Sequence, residues 1–158
     1  MFPAQTRFNK CAMVCREALL HDINDLHELY TKHLRVTEEI LDAEKWTNLL
    51  KTLIENPDYH LLVGEVDGKV VVSVTLVVIK NLTYSLRPYA VIENVVTHSG
   101  FRRKGYASVL MEHASEIAQS KHCYKIMLMT GSKEEGTLRF YERCGFDMNE
   151  KTAFIRRF

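Results

Sequence analysis

The chain has 158 residues, enough for one ordinary domain and too few for two comfortable ones. Hydrophobic residues make up 46% and charged residues 26%, the profile of a globular protein. Its 21 basic and 20 acidic side chains nearly cancel, which argues against a polyanion-binding surface and so against nucleic acid as a partner.

The longest apolar runs, such as 70–79, are too short to span a bilayer as a helix, so no membrane is expected as a partner. Residues 1–10 carry no apolar stretch followed by a cleavage site and read as a disordered leader, with 11–158 as one domain. The cysteines are Cys11, Cys15, Cys123 and Cys144, and no pair has metal-ligand spacing backed by a second pair. Free thiols in a reducing cytoplasm are the expected state, and no metal site is expected. The seven histidines are scattered, and His98 reads as a solvated loop residue.

Residues 12–18 read as a short strand. Asp22 reads as a helix N-cap, with Ile23, Leu26, Leu29, Tyr30 and His33 on one face at helical period. A second helix is predicted over 43–54, with Trp46, Leu49, Leu50 and Leu53 as its apolar stripe, ended by Asn56-Pro57. Residues 59–66 and 69–80 form a hairpin about Asp67-Gly68, two residue types that accept positive φ. After a polar loop, 89–97 is a further strand, broken at Ser99-Gly100. Ala107, Leu110, Met111, Ala114, Ile117 and Ala118 then repeat at helical spacing. Residues 123–130 are an apolar strand. Ser132-Lys133-Glu134-Glu135 reads as a capping box for a helix that carries Leu138, Phe140 and Tyr141 and stops at Gly145. Residues 153–158 read as a last strand. The order β-α-α-β-β-β-α-β-α-β implies an α/β fold, one mixed central sheet with helices on both faces. The β-α-β step over 89–130 is a parallel crossover.

The most informative stretch runs from Val95 to Ala107. A strand enters a loop holding Arg102, Arg103 and Lys104, and Gly105 opens a helix. The first amides of a helix have no internal partner, and the helix dipole adds positive potential there. Gly105 admits a close approach to the backbone, and Ala107 is small for the same reason. Strand, glycine and helix together make a diphosphate cradle. A basic helix start facing only water has the same spacing. The Walker pattern GxxxxGK(S/T) and the dinucleotide pattern GxGxxG are both absent.

Arg102-x-x-Gly105-x-Ala107, after a strand ending at Val96, resembles the Arg/Gln-x-x-Gly-x-Gly/Ala motif of GNAT (Gcn5-related) N-acetyltransferases. Phe140-Tyr141-Glu142-Arg143-Cys144-Gly145-Phe146 is similar to the family's FYxxxGF signature, one helix and one strand further on. Ala107 stands where glycine is commoner, and Gly136-Thr137 where alanine is usual. The resemblance implies the GNAT fold and acetyl-CoA (coenzyme A) as cofactor. It implies backbone pairing of Val95, Val96 and Thr97 with the pantetheine arm, between splayed fourth and fifth strands. The backbone at Arg102, Arg103, Lys104, Gly105, Tyr106 and Ala107 would hold the pyrophosphate. A homodimer is also implied.

Acetyl transfer to an amine needs a neutral nucleophile, a donor for the oxyanion and a proton for the leaving thiolate. Tyr141 is the candidate for the last task, because a phenol (pKa about 10) and a thiol (about 8.5) are close enough for proton transfer or a strong hydrogen bond. A plain core tyrosine is the competing reading. Glu93 is the candidate base or substrate-orienting group. A mid-strand carboxylate is costly to bury, and burial would raise its pKa toward a useful range; a strand glutamate on a wet face or paired with an arginine looks the same in sequence. The oxyanion donor is expected to be a backbone amide near Val95.

The stretch 92–96, the 123–126 strand and Arg156-Arg157-Phe158 look somewhat like glucosamine-phosphate N-acetyltransferases, with Asn94 where an aspartate is common there. The expected reaction is acetylation of a primary amine of a small molecule by direct attack in a ternary complex. An amino-sugar phosphate is one candidate acceptor, which Arg156 and Arg157 would meet if they left solvent. A protein Nα- or lysine acetyltransferase and a non-catalytic acyl-CoA-binding module are the alternatives. The 81–89 loop, with Tyr84, Arg87 and Tyr89, is a candidate for substrate contacts or a dimer surface.

Overall fold

The computed structural model describes residues 13–34 and 42–158. The leader expected over 1–10, and Cys11, lie outside the described residues. Five strands form one sheet in the order β1-β2-β3-β4-β5. They are β1 (Val14–Glu17), β2 (Tyr59–Val66), β3 (Lys69–Ile79), β4 (Tyr89–Thr97) and β5 (Ile126–Leu128). Neighbours are antiparallel up to β4, and β5 runs parallel to β4. The crossover between them is α3 (Tyr106–Ser120), and α4 (Glu135–Arg143) follows β5.

Helices cover both faces of the sheet. On one face Leu110, Met111, Ala114 and Ala118 of α3 pack on Val72, Val74, Leu76 and Ile92. On the other, Leu26 and Leu29 join Leu50 of α2 (Ala43–Ile54) against Leu61, Val63, Val70 and Val96. Each large side chain removed from water contributes roughly 1.5–3 kcal/mol, which makes these two layers the main stabilising term. The β2–β3 turn holds Asp67 at φ 51 and Gly68 at φ 79, the paired positive values a two-residue hairpin needs.

Several local expectations are corrected. Asp22 stands at the N-cap position of the first helix, but its side chain makes no capping bond there. It ends the 3-10 turn Leu20–Asp22, and its carboxylate accepts the Leu19 amide at 2.7 Å and two N–H groups of Arg16. The first helix is α1 (Ile23–Glu28), continued by a π turn over Leu29–His33 in which the Leu34 amide reaches the Leu29 carbonyl at 3.1 Å. Leu49 is exposed, and α2 buries Leu50 instead. Ser132 is not the α4 cap. The helix begins at Glu135, and Ser132 Oγ accepts the Glu134 amide at 3.3 Å in a local turn.

The last strand, expected over 153–158, does not form. Phe154, Ile155 and Phe158 are exposed. Alternation would put Arg156 between Phe154 and Phe158 on one face and Arg157 beside Ile155 on the other, so neither face would be apolar throughout.

Candidate active site

The β4–β5 ladder joins Ala90 to Ile126, Val91 to Met127 and Ile92 to Leu128, and stops there. Beyond Ile92, β4 continues to Thr97 with no strand on that side among the described residues, so the two strands part. A cleft of about 670 Å³ opens at the split. Glu93, Asn94 and Val95 form one wall, and Ser132, Thr137 and Tyr141 stand on the other.

A bulge shapes the β4 wall. Thr75 pairs with Glu93, but Ser73 pairs with Val96, so Val74 alone stands opposite Asn94 and Val95. Asn94 takes φ +52. Asparagine is among the few non-glycine residues that accept this left-handed region without large cost. The extra residue reverses side-chain parity. Ile92 therefore faces the α3 core while Val96, four residues on, faces the α1 and α2 core. The pairing of the His98 amide with the Val71 carbonyl at 2.8 Å fixes the backbone alternation beyond the bulge. Val96 bonds toward β3, and the Thr97 carbonyl turns toward the split. Sequence reasoning missed this bulge. Its one signal was an asparagine inside an otherwise strand-like run.

Tyr141 sits on α4, half-buried against Phe140 and Phe146. Burial, then the nearby Cys144 and Glu93, push its phenol above the ordinary value, so it stays protonated at neutral pH. Glu93 departs from expectation. It is exposed on the cleft wall, so the burial assumed for it from sequence is absent.

The cradle lies past the end of β4. A 3-10 turn, Ser99–Phe101, leads to Arg103 at φ 61 and Gly105 at φ 85, which is the N-cap of α3. The amides of 103–108 find no acceptor among the described residues. A Cβ built on Gly105 would meet nothing within 4 Å, so open space lies over that backbone. Arg103 and Lys104 are exposed, and the Lys104 ammonium lies 4.9 Å from the Phe101 ring centroid. Arg102 is spent on the protein itself, donating to the Thr97 and His33 carbonyls at 3.2 Å each. Tyr106 and Ala107 turn inward onto the α3 core. Of the β4 residues expected at the cofactor, Val96 is buried, and Val95 and Thr97 are half-buried.

Other expected contacts fall elsewhere. The 81–89 loop is at the opposite end of β4 from the cradle. Tyr84 stacks on Tyr124 at 4.1 Å, and Arg87 donates to the His122 and Cys123 carbonyls. None of Tyr84, Arg87, Tyr89, Arg156 and Arg157 lines the cleft. His98 is not a solvated loop residue, since its side chain is 19% exposed and its ring lies against His33.

Residues 22–146 match the family model described as acetyltransferase (GNAT) family. A solved protein of Agrobacterium tumefaciens strain C58, assigned as an acetyltransferase, superposes with a TM-score of 0.85 at 36% identity, over 91% of this chain and 99% of that one. The chain belongs to the acetyltransferase (GNAT) family. Two relatives are similar in sequence. Glucosamine 6-phosphate N-acetyltransferase of Trypanosoma brucei brucei is 34% identical over 84 residues, 53% of this chain and 55% of that protein. An uncharacterized N-acetyltransferase of Methanocaldococcus jannaschii is 29% identical over 139 residues, 85% of this chain and 61% of that protein. The chain thus spans a little over half the length of these two relatives. Both motifs of this GNAT chain, the cradle and the helix with Tyr141, lie within the matched residues. Among the described residues, no helix is long and apolar enough to cross a membrane.

Proposed function

We propose that this GNAT protein transfers an acetyl group from acetyl-CoA to the primary amine of a small molecule, by direct attack in a ternary complex. The observation that carries this reading is one cleft with Tyr141 and Glu93 on facing walls, opening where β4 parts from β5. The cradle fits a diphosphate: the free amides of 103–108 gather at a left-handed glycine that opens α3. Arg103, Lys104, Gly105, Tyr106 and Ala107 hold the diphosphate through backbone amides. Arg102 shapes the loop. Val95 and Thr97, beside the buried Val96, offer backbone groups to the pantetheine arm.

When bound, acetyl-CoA supplies an activated acetyl thioester. Tyr141 keeps its proton at neutral pH and would donate a hydrogen bond to a departing thiolate. Its raised pKa favours that bond over complete transfer to a thiolate of pKa about 8.5. Glu93, open to solvent, draws the acceptor ammonium by charge and takes its proton through water. A backbone amide near Val95, beside the Asn94 bulge, would serve as the oxyanion donor.

The acceptor wall is lined by Ser132, Lys133, Glu134 and Thr137. A small polyhydroxyl amine bearing an anionic group suits that wall, and an amino-sugar phosphate is one such acceptor. The name of the Trypanosoma relative agrees with it. The protein acts as a single domain over 11–158 in the cytoplasm, where Cys15, Cys123 and Cys144 remain free thiols. A homodimer is the assembly we expect, and sedimentation tests it.

The enzymatic test is thiol release from acetyl-CoA against amino sugars, their phosphates, polyamines, amino acids, aminoglycosides and short peptides. An acceptor in the first group is expected. Tyr141→Phe should lower kcat on the order of 100-fold with coenzyme A affinity unchanged. Unchanged turnover in Tyr141→Phe removes the proton-donor role.

A further inference from the structure

His33, at the end of the π turn, meets His98, just past β4, with ring centroids 4.3 Å apart. The Ser99 amide donates to His33 Nδ1 at 3.2 Å, and the Gly100 amide donates to His98 Nδ1 at 3.1 Å. A neutral imidazole has one lone pair, and in both rings it lies at Nδ1, so each Nε2 carries the proton. His98 Nε2 lies 3.6 Å from Glu28 Oε1. His33 Nε2 is enclosed, without an acceptor among the described residues.

Glu28, His33 and His98 bring their polar atoms within 4.8 Å of one another, a grouping that suggests a cation site. The tautomers oppose it, because neither Nε2 has a lone pair to give. Glu28 is also paired with Lys69 at 3.2 Å.

We propose that His33 and His98 are positioning residues that hold the Ser99–Phe101 turn, and through it the diphosphate cradle, only while both imidazoles are neutral. Coenzyme A binding then weakens on acidification. The proposal rests on the acetyl-CoA reading above. A proton added at either Nδ1 would face an N–H, and that bond is lost. A proton on each ring places two cations in contact. The turn runs directly into Arg102, whose guanidinium is fixed on the His33 and Thr97 carbonyls, so a displaced turn moves the cradle.

The charges around the pair come from three elements. Glu28 and Lys32 lie on α1 and its π turn, Lys69 on β3, and Arg102 on the loop. Burial first, then His98, pushes His33 below the ordinary imidazole range. Glu28 opposes that shift, and Arg102 and Lys32 reinforce it. The sign follows for His33: what its neutral ring contributes is present above about pH 6.5 and is lost as the pH falls through its depressed folded value.

The test is NMR on the full chain at about pH 7.5 and about pH 4.5, the lower limit set well below the ordinary imidazole value of about 6.5 because His33 is depressed. It reads imidazole nitrogen shifts, and protection factors of the Ser99 and Gly100 amides corrected for intrinsic exchange. Coenzyme A affinity is measured in parallel by calorimetry. Asparagine Oδ1 accepts the same amide without titrating, so His33→Asn, His98→Asn and the double variant are the comparisons. In the wild type, both amides should lose protection on acidification, and the dissociation constant should rise about tenfold, as for a competent state reduced to about a tenth. In the double variant both readouts should be flat apart from the ligand's own titration. Wild-type amides equally protected at both pH values would overturn the proposal, as would variants that lose affinity in acid as the wild type does. Titrating amides with no coenzyme A binding at either pH would instead overturn the acetyl-CoA reading and leave the two histidines in their role at the turn.

Discussion

The Phe146 amide donates to the Tyr141 carbonyl at 3.1 Å, and the two rings meet edge-on with centroids 6.5 Å apart. With the Gly145 amide on the Glu142 carbonyl at 2.9 Å, this is a Schellman ending with its hydrophobic contact. The FYxxxGF pattern thus has a mechanical meaning. Glycine stops the helix one turn after the tyrosine, and the last phenylalanine folds back onto it.

Gly145 holds φ +88, so Gly145→Ala should cost about 1–2 kcal/mol from left-handed strain. The same change should lower turnover by loosening Tyr141. Urea unfolding and steady-state kinetics check both effects; a variant as stable and as active as the wild type contradicts the argument.

Asn94 carries the bulge that parts the cleft walls. Asn94→Val places a β-branched residue at φ +52 and should cost about 1–3 kcal/mol, with loss of activity. Asn94→Gly accepts the same backbone and should keep both stability and turnover. If the glycine variant loses as much stability and turnover as the valine variant, the amide side chain rather than the backbone matters there.

Arg16 holds Asp22 through a two-bond fork at 2.7 and 2.8 Å, and also reaches Glu65 at 2.7 Å. This ties β1 to β2 and to the entry of α1. Burial pushes the Asp22 pKa up, but Arg16 and the Leu19 amide outweigh it, and the net shift is downward. The stability it contributes is therefore present above about pH 3.9 and lost as the pH falls through the lower folded value. Arg16→Met leaves Asp22, only 4% exposed, without its counter-charge, and should cost about 3 kcal/mol at neutral pH. Chemical denaturation at neutral pH and near pH 3, below the unfolded value of about 3.9, should show the gap from wild type narrowing in acid. A gap that is small at neutral pH contradicts this account.

Local chemistry made much of the fold readable. Asp67-Gly68 can hardly be anything but a hairpin turn, and the spacing of Leu110, Met111, Ala114 and Ala118 defines α3 before any contact is known. Arg102, Gly105 and Ala107 marked the cradle because a helix N-terminus and a glycine are both local features. Relationships across the chain were not readable. The Asn94 bulge hides in a run that reads as plain strand, and its parity reversal emerges only when Val96 is found in the opposite core from Ile92. The exposure of Glu93 depends on β5 stopping at Leu128. His33 and Ser99 are 66 residues apart, and no spacing rule joins them. The missing strand over 153–158 is a different case, in which composition suggested a strand that the apolar pattern did not support.

The central claim is that the backbone at Gly105 receives the diphosphate of acetyl-CoA. The most direct measurement is calorimetric titration of coenzyme A into the wild type and into Gly105→Val, with unfolding curves to confirm that both are folded. A valine Cβ would meet nothing in the protein itself, so its bulk enters the open space over that backbone, and the strain it brings at φ +85 is read separately as lower stability in the unfolding curves. The account predicts saturable 1:1 binding by the wild type, and affinity at least about tenfold weaker in the folded variant, the 1.4 kcal/mol equivalent of about one lost charge-assisted hydrogen bond. Equal binding by both proteins, or no binding by the wild type, would contradict it.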